Sequence, residues 1–578
     1  MLEILINQQA LNIHKPISFT FINPIFDKDG IARSYSYPFN IPASASTQKI
    51  FKHTNRLDVS DVSEKEAAIL RLFQSDLPSG YVVHQQQSST QYSCNYISDA
   101  RNLADELKKV KIKDLFDSTI NLATSNPARF NYELYSPYTN NIIRIRINDV
   151  DYEFTINTGS PELPQDILNN IKSQIDADYP DAVVSVGLAG INGAYIDITA
   201  QPQQGEFRII PNAGSGTHDL SIISERQQHI AIAEQWQADL EANLLLSTAN
   251  ANYRFPTFYN RKLYTRKENL IWRGVVNERI SGSFPLNPSS DTPEDWDYTI
   301  SPQLSLRYVI DEIAEELGFD LDGDALSVLD DLLIYNNQTL DYEIKDKDDD
   351  YYNVYAPSYK LSDFLPDITA YELITKVQKS LFVYFTFDSD TLFFNAINTP
   401  LQKPAIDLTQ YIDPEYGVVT PSTSGFNVRM LEDEKDQESQ PADYVQSVIG
   451  EDYQIIGTLA ESNSYNIVQH PINDDFRLRL IHYDGVHATF NKPTSSSYTT
   501  PTAAHNSNKK YLKLLYEGKP VTLLAALPPH LISQLVQYEN PVIRVGTDNG
   551  SIQGVVRKIQ FKVDNIRLSK TRLEVVFL

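Results

Sequence analysis

The sequence is very poor in cysteine. Cys94 is the only one among 578 residues, so no disulfide can form within the chain. For the same reason no cluster of cysteines can hold a metal ion. We therefore expect the chain to fold in a reducing cytoplasm.

Long apolar runs and targeting signals are also missing. No stretch approaches about 18 consecutive apolar residues, so the sequence predicts no membrane-spanning helix. The opening, MLEILINQQALNIHKP, has no basic region and no long apolar core. It is therefore predicted not to be a signal peptide.

Basic residues are in the minority. Asp and Glu number 75 against 49 Lys and Arg, which gives a formal net charge of −26. Such a surface repels phosphate backbones and anionic lipids, which argues against a general or sequence-specific nucleic-acid binder and against a membrane binder. A second interpretation stays open, in which the acidity only keeps a large protein soluble.

Catalytic motifs are scarce. The sequence contains no GxSxG, HExxH or GxxxxGKS motif. The segment NAGSGTHDL places Gly214, Ser215, His218 and Asp219 together, which are nucleophile, base and acid types. Side chains this close in one loop rarely converge into a triad, so a glycine-rich turn is the preferred interpretation.

Acidic and histidine clusters suggest metal sites only weakly. Asp320–Asp324 resembles the start of a calcium loop, but Ala325 and Asp331 occupy the positions where an EF-hand needs Gly and Glu. Two further clusters are acidic or histidine-bearing: Asp346, Asp348, Asp349 and Asp350, and then His482, Asp484 and His487. We interpret all three as turns or solvated loops and predict no catalytic, cofactor or metal residue. A carboxylate pair for glycoside hydrolysis stays open, because its diagnostic is a distance.

The region 301–407 is predicted to organise the chain. SPQLSLRYVIDEIAEELGF has helical spacing with Pro302 near its start and Gly318 at its end. In ITAYELITKVQKSLF, Thr369 and Glu372 form a capping box before a second helix. A β-hairpin over 383–397 follows, with Asp388 at its turn.

The rest of the chain is predicted to form mainly strands, with a few helices. Alternating apolar residues predict strands near both ends, and the 34 tyrosines and 25 phenylalanines fit strand-rich structure. RNLADELKKVKIKDLF predicts a short helix and then a strand, with its five basic residues on a solvated face or at a phosphate contact. We expect a helix over 223–246, and surface loops at the acidic run LEDEKDQESQPAD and at NKPTSSSYTTPTAAHNSNKK.

These patterns predict a β-rich α+β protein of several domains. The length alone suggests about four domains of roughly 150 residues. The predicted division is a β-rich domain over 1–140, an inserted α+β module over 141–222, a helix and return to the parent domain over 223–300, a helix and hairpin domain over 301–410, and a β-rich domain over 411–578.

Several segments, taken in order, resemble tail proteins of tailed bacteriophages, especially those that infect Bacteroidota. They are FINPIFDKDGIARSYSYPFNIPAS, FPTFYN, WRGVVN, SPQLSLRYVIDEIAEELGFDLDGD, LLIYNN, ITAYELITKVQKSLFVYFTFDSDTLFFNAI, IDLTQYIDPEYGV, VRKIQFKV and LEVVFL. The resemblance covers most of the chain outside residues 141–246. It rests on pattern and order, and it brings no catalytic residue to this sequence.

The resemblance implies a structural, non-enzymatic place at the distal end of a tail. That place is the baseplate or tail-tip hub, usually a homotrimer that connects the tail tube to the spike or fibres of the virion and is assembled in the host cytoplasm. Related hubs occur in contractile injection systems, and the resemblance does not separate the two. Two alternatives remain, a glycan-binding tail adhesin and a tail-associated hydrolase.

Overall fold

The computed structural model is a strand-rich α+β protein, which confirms the predicted fold class. It describes residues 1–578 except for 1, 7, 12, 14–15, 28–30, 32–34, 53–64, 74, 78–79, 88–89, 122–128, 136–141, 148–149, 156–162, 179–182, 190–192, 200–208, 212–234, 245–251, 264–273, 281–282, 286–298, 346–350, 357, 389–390, 419–424, 432–442, 447–449, 459, 463–464, 468–477, 484–485, 488–491, 494–499, 538–539, 548–549, 564–567 and 578.

Helices are short and lie between groups of strands. In chain order they are α1 (Ala45–Ile50), α2 (Asp99–Leu107), α3 (Pro164–Asp178), α4 (235–244), α5 (Leu306–Glu316), α6 (Ala370–Leu381), α7 (Asn398–Leu401), α8 (Pro501–Tyr516) and α9 (Pro529–Val536). Single 3-10 turns cover Pro24–Phe26, Ile112–Phe116, Leu326–Val328, Leu361–Phe364 and Thr409–Tyr411.

Strands in the first half of the chain form one group near the N-terminus and a second group around α3. The first group is β1 (Leu2–Ile6), β2 (Gln9–Ala10), β3 (Ile17–Ile22), β4 (Tyr35–Ser36), β5 (Phe39–Pro42), β6 (Lys65–Leu72), β7 (Ser75–Asp76), β8 (Gly80–Gln87) and β9 (Gln91–Ser98). The second is β10 (Thr119–Asn121), β11 (Arg129–Tyr135), β12 (Ile142–Ile147), β13 (Val150–Thr155), β14 (Val183–Ala189), β15 (Gly193–Thr199) and β16 (Ile209–Pro211).

The central strands surround α5 and α6. They are β17 (Tyr253–Arg254), β18 (Phe258–Tyr259), β19 (Val275–Val276), β20 (Gln303–Ser305), β21 (Asp320–Asp322), β22 (Leu332–Ile334), β23 (Asp341–Lys345), β24 (Tyr351–Tyr355), β25 (Ser358–Lys360), β26 (Val383–Asp388), β27 (Thr391–Ala396) and β28 (Ile406–Asp407).

The C-terminal strands complete the sheets. They are β29 (Ile412–Val418), β30 (Phe426–Met430), β31 (Tyr444–Val445), β32 (Glu451–Ile455), β33 (Gly457–Thr458), β34 (Ala460–Ser462), β35 (Tyr465–Ile467), β36 (Arg479–His482), β37 (Val486–His487), β38 (Lys492–Pro493), β39 (Lys519–Ala525), β40 (Val542–Thr547), β41 (Gly550–Val563) and β42 (Thr571–Phe577).

One sheet of 15 strands joins the two ends of the chain. Its main order is β2-β1-β6-β8-β9-β4-β3-β41-β42-β39-β29. The join is the antiparallel pair β3 and β41, where Phe19 lies opposite Phe561. Phe19, Phe21 and Phe561 are buried, and their rings lie 5.6 to 6.3 Å apart. The predicted alternation of apolar residues in β1 and β3 is therefore the inner face of this sheet.

A second core surrounds the central helices. α5 buries Leu306, Val309, Ile310 and Ile313, as its spacing predicts. The helix begins later than predicted, because Ser305 is its N-cap and residues 303–305 form β20. Gly318 follows the helix with φ +73°, a conformation that glycine adopts without a steric penalty.

The capping box and the hairpin after it are as predicted. The Thr369 hydroxyl accepts from the Glu372 N–H, and the Glu372 carboxylate accepts from the Thr369 N–H at 3.0 Å. Strands β26 and β27 pair from Val383↔Ala396 to Asp388↔Thr391, and the turn residues 389–390 lie outside the described residues.

Removing the N-cap of α6 should weaken the central core measurably. We expect Thr369→Ala to cost about 1 kcal/mol of stability, because the first-turn N–H groups lose their acceptor. Thr375→Ala is the matched control, since the Thr375 hydroxyl donates to the Tyr371 and Glu372 carbonyls within the same helix and caps no N–H group. Urea unfolding followed by circular dichroism checks this. Equal effects of the two changes would contradict a capping role.

The α+β module has the predicted helix and strands. Ile167, Leu168, Ile171 and Ile175 of α3 are buried against β13, β14 and β15. The sequence Asn192-Gly193 favours a β-hairpin. β14 and β15 form that hairpin, pairing antiparallel with Ala189 opposite Gly193. The module boundaries, like the other domain boundaries, stay predictions.

Two sequence-based predictions of local structure are wrong. Residues 112–116 form a 3-10 turn and not a strand; Ile112 and Phe116 of that turn are buried. Residues 501–510, predicted to be a loop, form the N-terminal part of α8. Thr500 is the N-cap of this helix, and Pro501 lies in its first turn. Ala504, Tyr511 and Leu512 are buried, so tertiary packing outweighs the polar composition.

The helix predicted over 223–246 is described only in part. The spacing of Ile230, Ala233, Trp236 and Leu240 predicts the buried face of this helix. Residues 235–244 are helical and Trp236 and Leu240 are buried, while Ile230 and Ala233 lie outside the described residues. No helix in the described ranges has both the length and the apolar character needed to cross a membrane.

Candidate functional site

Four segments meet at a buried cluster of amides and hydroxyls, which we call the polar joint: Thr257, Asn277, Ser301, Gln303 and Asn336. All five side chains are at most 1% exposed. Short strands position them, since β17, β20, β22 and β36 are hydrogen-bonded neighbours in one sheet and β18 pairs with β19 beside it. Four of the segments that resemble phage tail proteins supply these residues: FPTFYN, WRGVVN, SPQLS and LLIYNN.

Asn277 is the centre of the polar joint. Its amide nitrogen donates to the carbonyls of Pro256 at 2.9 Å and Ser301 at 2.8 Å, and its amide oxygen accepts from the Ser301 N–H at 2.8 Å. The Thr257 hydroxyl donates to the Asn277 carbonyl at 2.7 Å. Asn277 adopts φ +53°, which asparagine tolerates better than most residues. One side chain thus links its own segment to two others, at Pro256 and at Ser301.

Gln303 and Asn336 extend the network. The Gln303 amide oxygen accepts from the Asn336 N–H at 2.8 Å, and its nitrogen donates to the Ser301 hydroxyl at 2.8 Å. The Asn336 nitrogen donates to the Pro302 carbonyl at 2.6 Å. The Ser301 hydroxyl in turn donates to the Gln338 carbonyl at 2.6 Å, so its proton goes to the backbone and not to a base. The joint holds strands in register and has no group set up for proton transfer.

A buried arginine lies near the joint. Arg254 is 2% exposed, donates to the Asn243 carbonyl and lies 5.3 Å from the centre of the Tyr483 ring. Burial lowers the pKa of Arg254 and raises the pKa of Tyr483. Arg279 pairs with Glu241 at 3.2 Å on the same side. We interpret this cluster as an attachment of α4 to the central sheet, because its contacts join those two elements.

The acidic segment Asp320–Asp324, predicted to be a turn, has a structural role. Asp324 accepts from the Ala396 N–H at 2.8 Å and the Thr399 hydroxyl at 2.6 Å. Gly323 has φ +131°, and an added Cβ would lie 2.1 Å from the Phe394 carbonyl oxygen. These contacts tie β21 to β27, which agrees with the interpretation as a turn.

The other candidate clusters give no site within the described residues. The segment 212–220, Asp346–Asp350 and Asp484 lie outside those residues. His482 lies in β36 and His487 in β37. Across the ranges that the structure describes, no group of three or more His, Cys, Asp or Glu side chains could hold a metal ion.

The basic run after α2 is neutralised locally. Lys108 pairs with Asp105 at 3.8 Å and lies over the Tyr371 ring, Lys109 pairs with Glu106 at 2.9 Å, and Lys111 pairs with Asp367 at 3.3 Å. These ion pairs support a solvated surface over a phosphate contact.

The buried environment of Cys94 disfavours the reactive thiolate form of its side chain. Cys94 is fully buried in the large sheet, and burial raises its pKa to about 12. A thiol with such a pKa has almost no thiolate at neutral pH, so it is a poor nucleophile.

Comparisons with known proteins find structural neighbours only. No protein-family model matches the chain, and no curated protein matches it significantly. Among solved structures, a 43 kDa tail protein of prophage MuSo2 from Shewanella oneidensis has a TM-score of 0.31 and 7% identity, over 100% of this chain and 97% of that one. A tail protein from Neisseria meningitidis MC58 has a TM-score of 0.31 and 8% identity, over 100% and 95%.

A third structure is of the same kind. A prophage tail protein from Listeria monocytogenes EGD-e has a TM-score of 0.29 and 6% identity, over 100% of this chain and 94% of that one. At TM-scores this low, these neighbours transfer neither a fold nor a residue role to the chain.

Proposed function

We propose that this chain is a structural component of a bacteriophage tail tip or baseplate. In this proposal it is a hub-like homotrimer of the virion that links the tail tube to the spike or fibres, and it is not an enzyme. The observation that carries the proposal is the meeting of four tail-protein-like segments in the polar joint. These segments build a rigid connection from amides and hydroxyls, which suits a part that holds subunits in place.

Exposed apolar side chains give further support. Along one cross-strand row of the large sheet, Leu573 and Leu523 are buried and Tyr416 on β29 is 67% exposed. In the parallel row, Val575 and Val521 are buried and Val418 is 46% exposed. The apolar face thus continues past the core to an outer strand, as expected where a protein meets a neighbour.

The assembly state of the purified full-length chain tests the proposal. We expect mass photometry at micromolar concentration to give three copies, and negative-stain microscopy to show a ring. Tyr416→Glu should shift the measured particle mass toward that of one copy, because it places a charge on the solvent-exposed end of the apolar row. Leu188→Glu is the control, since Leu188 is 70% exposed on the α+β module.

Two outcomes distinguish the position of the subunit interface from the hub role itself. A ring that persists in Tyr416→Glu would show that the interface lies elsewhere on the chain, and the hub role would stand. A chain that stays monomeric and is missing from a reconstruction of intact particles would refute the hub itself.

A glycan-binding adhesin is the second candidate. Tyr35 and Tyr37 are 37% and 51% exposed, with ring centres 6.1 Å apart. Exposed aromatic rings can stack on sugars. A glycan array with the wild type and with Tyr35→Ala/Tyr37→Ala distinguishes the candidates, because an adhesin would lose binding in the variant and a hub would show none in either. Zymography on the same samples tests for a hydrolase.

A further inference from the structure

His505 is a buried imidazole at the contact of α8 with β30 and β31. The residue is 5% exposed, and its ring stacks on the Tyr444 ring with 3.7 Å between centres and 12° between planes. Phe426 of β30 lies 5.8 Å away and itself stacks on Tyr516 of α8. His505 is therefore part of an aromatic layer that joins the helix to the two strands.

The charged groups around His505 do not compensate a positive ring. On α8, Lys509 and Lys513 oppose the imidazolium and Glu517 favours it. The Asn506 amide oxygen lies 3.1 Å from His505 Nδ1. Burial is the largest effect and lowers the pKa of His505; the Asn506 hydrogen bond raises it, the two lysines lower it further, and the net direction is down.

The strands contribute rings to this contact and keep their charges elsewhere. Phe426 and Tyr444 are the groups of β30 and β31 that stack near His505. Arg429 is three positions after Phe426 in β30, so it lies on the opposite face of the strand. There it pairs with Asp452 at 3.0 Å and Asp443 at 3.9 Å.

β31 is a short strand of two residues, Tyr444–Val445. It pairs with β30 at Asn427↔Val445 and Val428↔Tyr444, and Val445 is 56% exposed. Gln446 donates through its backbone to Asn427 at 3.0 Å and through its side chain to Glu517 at 2.6 Å. Tyr444 is half-buried where it stacks on His505.

We propose that His505 makes the contact between α8 and β31 sensitive to acid: the neutral imidazole holds Tyr444 in place, and its protonation releases β31 from the helix. This inference does not depend on the proposed role in a tail. Glu517 also contacts β31, through its hydrogen bond with the Gln446 side chain. We assign the release of β31 near neutral pH to the His505 imidazole and not to the Glu517 carboxylate.

The direction of the effect follows from linkage. The unfolded or released state has the ordinary histidine pKa of 6.5, and the folded state has a lower one. Stability from this contact is therefore fully present above pH 6.5 and is lost as the pH falls through the folded pKa. Each unit between the two pKa values corresponds to a tenfold change in the release equilibrium.

Hydrogen exchange of the full-length chain at pH 7.5, 6.5 and 5.5 tests the proposal. After correction for intrinsic exchange, peptides from α8 and from β30 and β31 should lose protection at pH 5.5, by up to roughly tenfold per unit of pKa difference. His505→Phe keeps an aromatic ring and removes the charge, so its protection should not change with pH. His530→Gln should keep the wild-type response, since His530 is exposed on α9. Glu517→Gln should keep a response in the same direction, because it removes a charge that favours the imidazolium and leaves His505 in place.

Each outcome decides the proposal. A pH response that persists in His505→Phe, or disappears in Glu517→Gln, would overturn it. If His505→Phe does not fold, the wild type and His530→Gln decide. Loss of protection confined to α8 and its two strands supports the proposal, and protection that is constant, or lost evenly over the chain, refutes it.

Discussion

Replacing Trp236 by alanine is expected to lower the free energy of unfolding by about 3 to 5 kcal/mol. Trp236 has no exposed surface, and its ring lies 5.3 Å from that of Tyr359. Its Nε1–H donates to the Ala356 carbonyl at 3.0 Å. The change therefore removes a large apolar group from the central core and leaves the half-buried Ala356 carbonyl without this donor.

Trp236→Phe is the matched control for this prediction. It keeps most of the apolar contact and loses the hydrogen bond, so it should cost clearly less, about 1 to 3 kcal/mol. Because a chain of this size unfolds in several steps, the quantity to compare is the transition that exposes α4 and the central core, followed by hydrogen exchange in urea. A Trp236→Ala effect below about 1 kcal/mol would mean that α4 contributes little to that core.

Asn277→Ala is expected to have the second large effect. The change removes three hydrogen bonds to buried backbone groups of Pro256 and Ser301. Each buried group left without a partner costs about 1 to 3 kcal/mol. Alanine at φ +53° adds about 1 to 2 kcal/mol of backbone strain. We expect loss of the folded central unit, seen as a lower urea midpoint and faster exchange in β20 and β22.

Asn277→Gly separates the two causes. Glycine accepts the positive φ, so it should restore the strain component but not the hydrogen bonds. The glycine variant should therefore be more stable than the alanine variant and less stable than the wild type. Equal stability of glycine and wild type would show that the side-chain bonds of the polar joint contribute nothing.

Local patterns predicted local structure well where packing and propensity agree. α6 has a capping box and one apolar stripe, and both are observed. Pattern analysis failed at α8, where Ser, Thr and Asn are frequent but Ala504, Tyr511 and Leu512 pack inward. The pairing of β3 with β41 could not be predicted, because both strands alternate correctly on their own and nothing local specifies a partner so far along the chain.

The residues of the polar joint have a recognisable sequence pattern, but they were not predicted because their side chains are amides and hydroxyls without a reactive group. A search for reactive side chains passes over amides, although Asn277 and Asn336 each follow a run of apolar residues. Polar residues at the end of buried strands are a usable signal, because a buried amide must find partners. The number and identity of those partners depend on the tertiary structure alone.

The sheet that joins both chain ends also has a consequence for biosynthesis. Ile17 is synthesised well before its partner Val563, because more than 500 residues separate the two in the chain. At roughly 5 to 20 residues per second, the ribosome takes about half a minute to two minutes to supply that partner. Throughout this interval one edge of β3 is open on the nascent chain, where holdase chaperones would have to keep neighbouring polysome products from pairing with it.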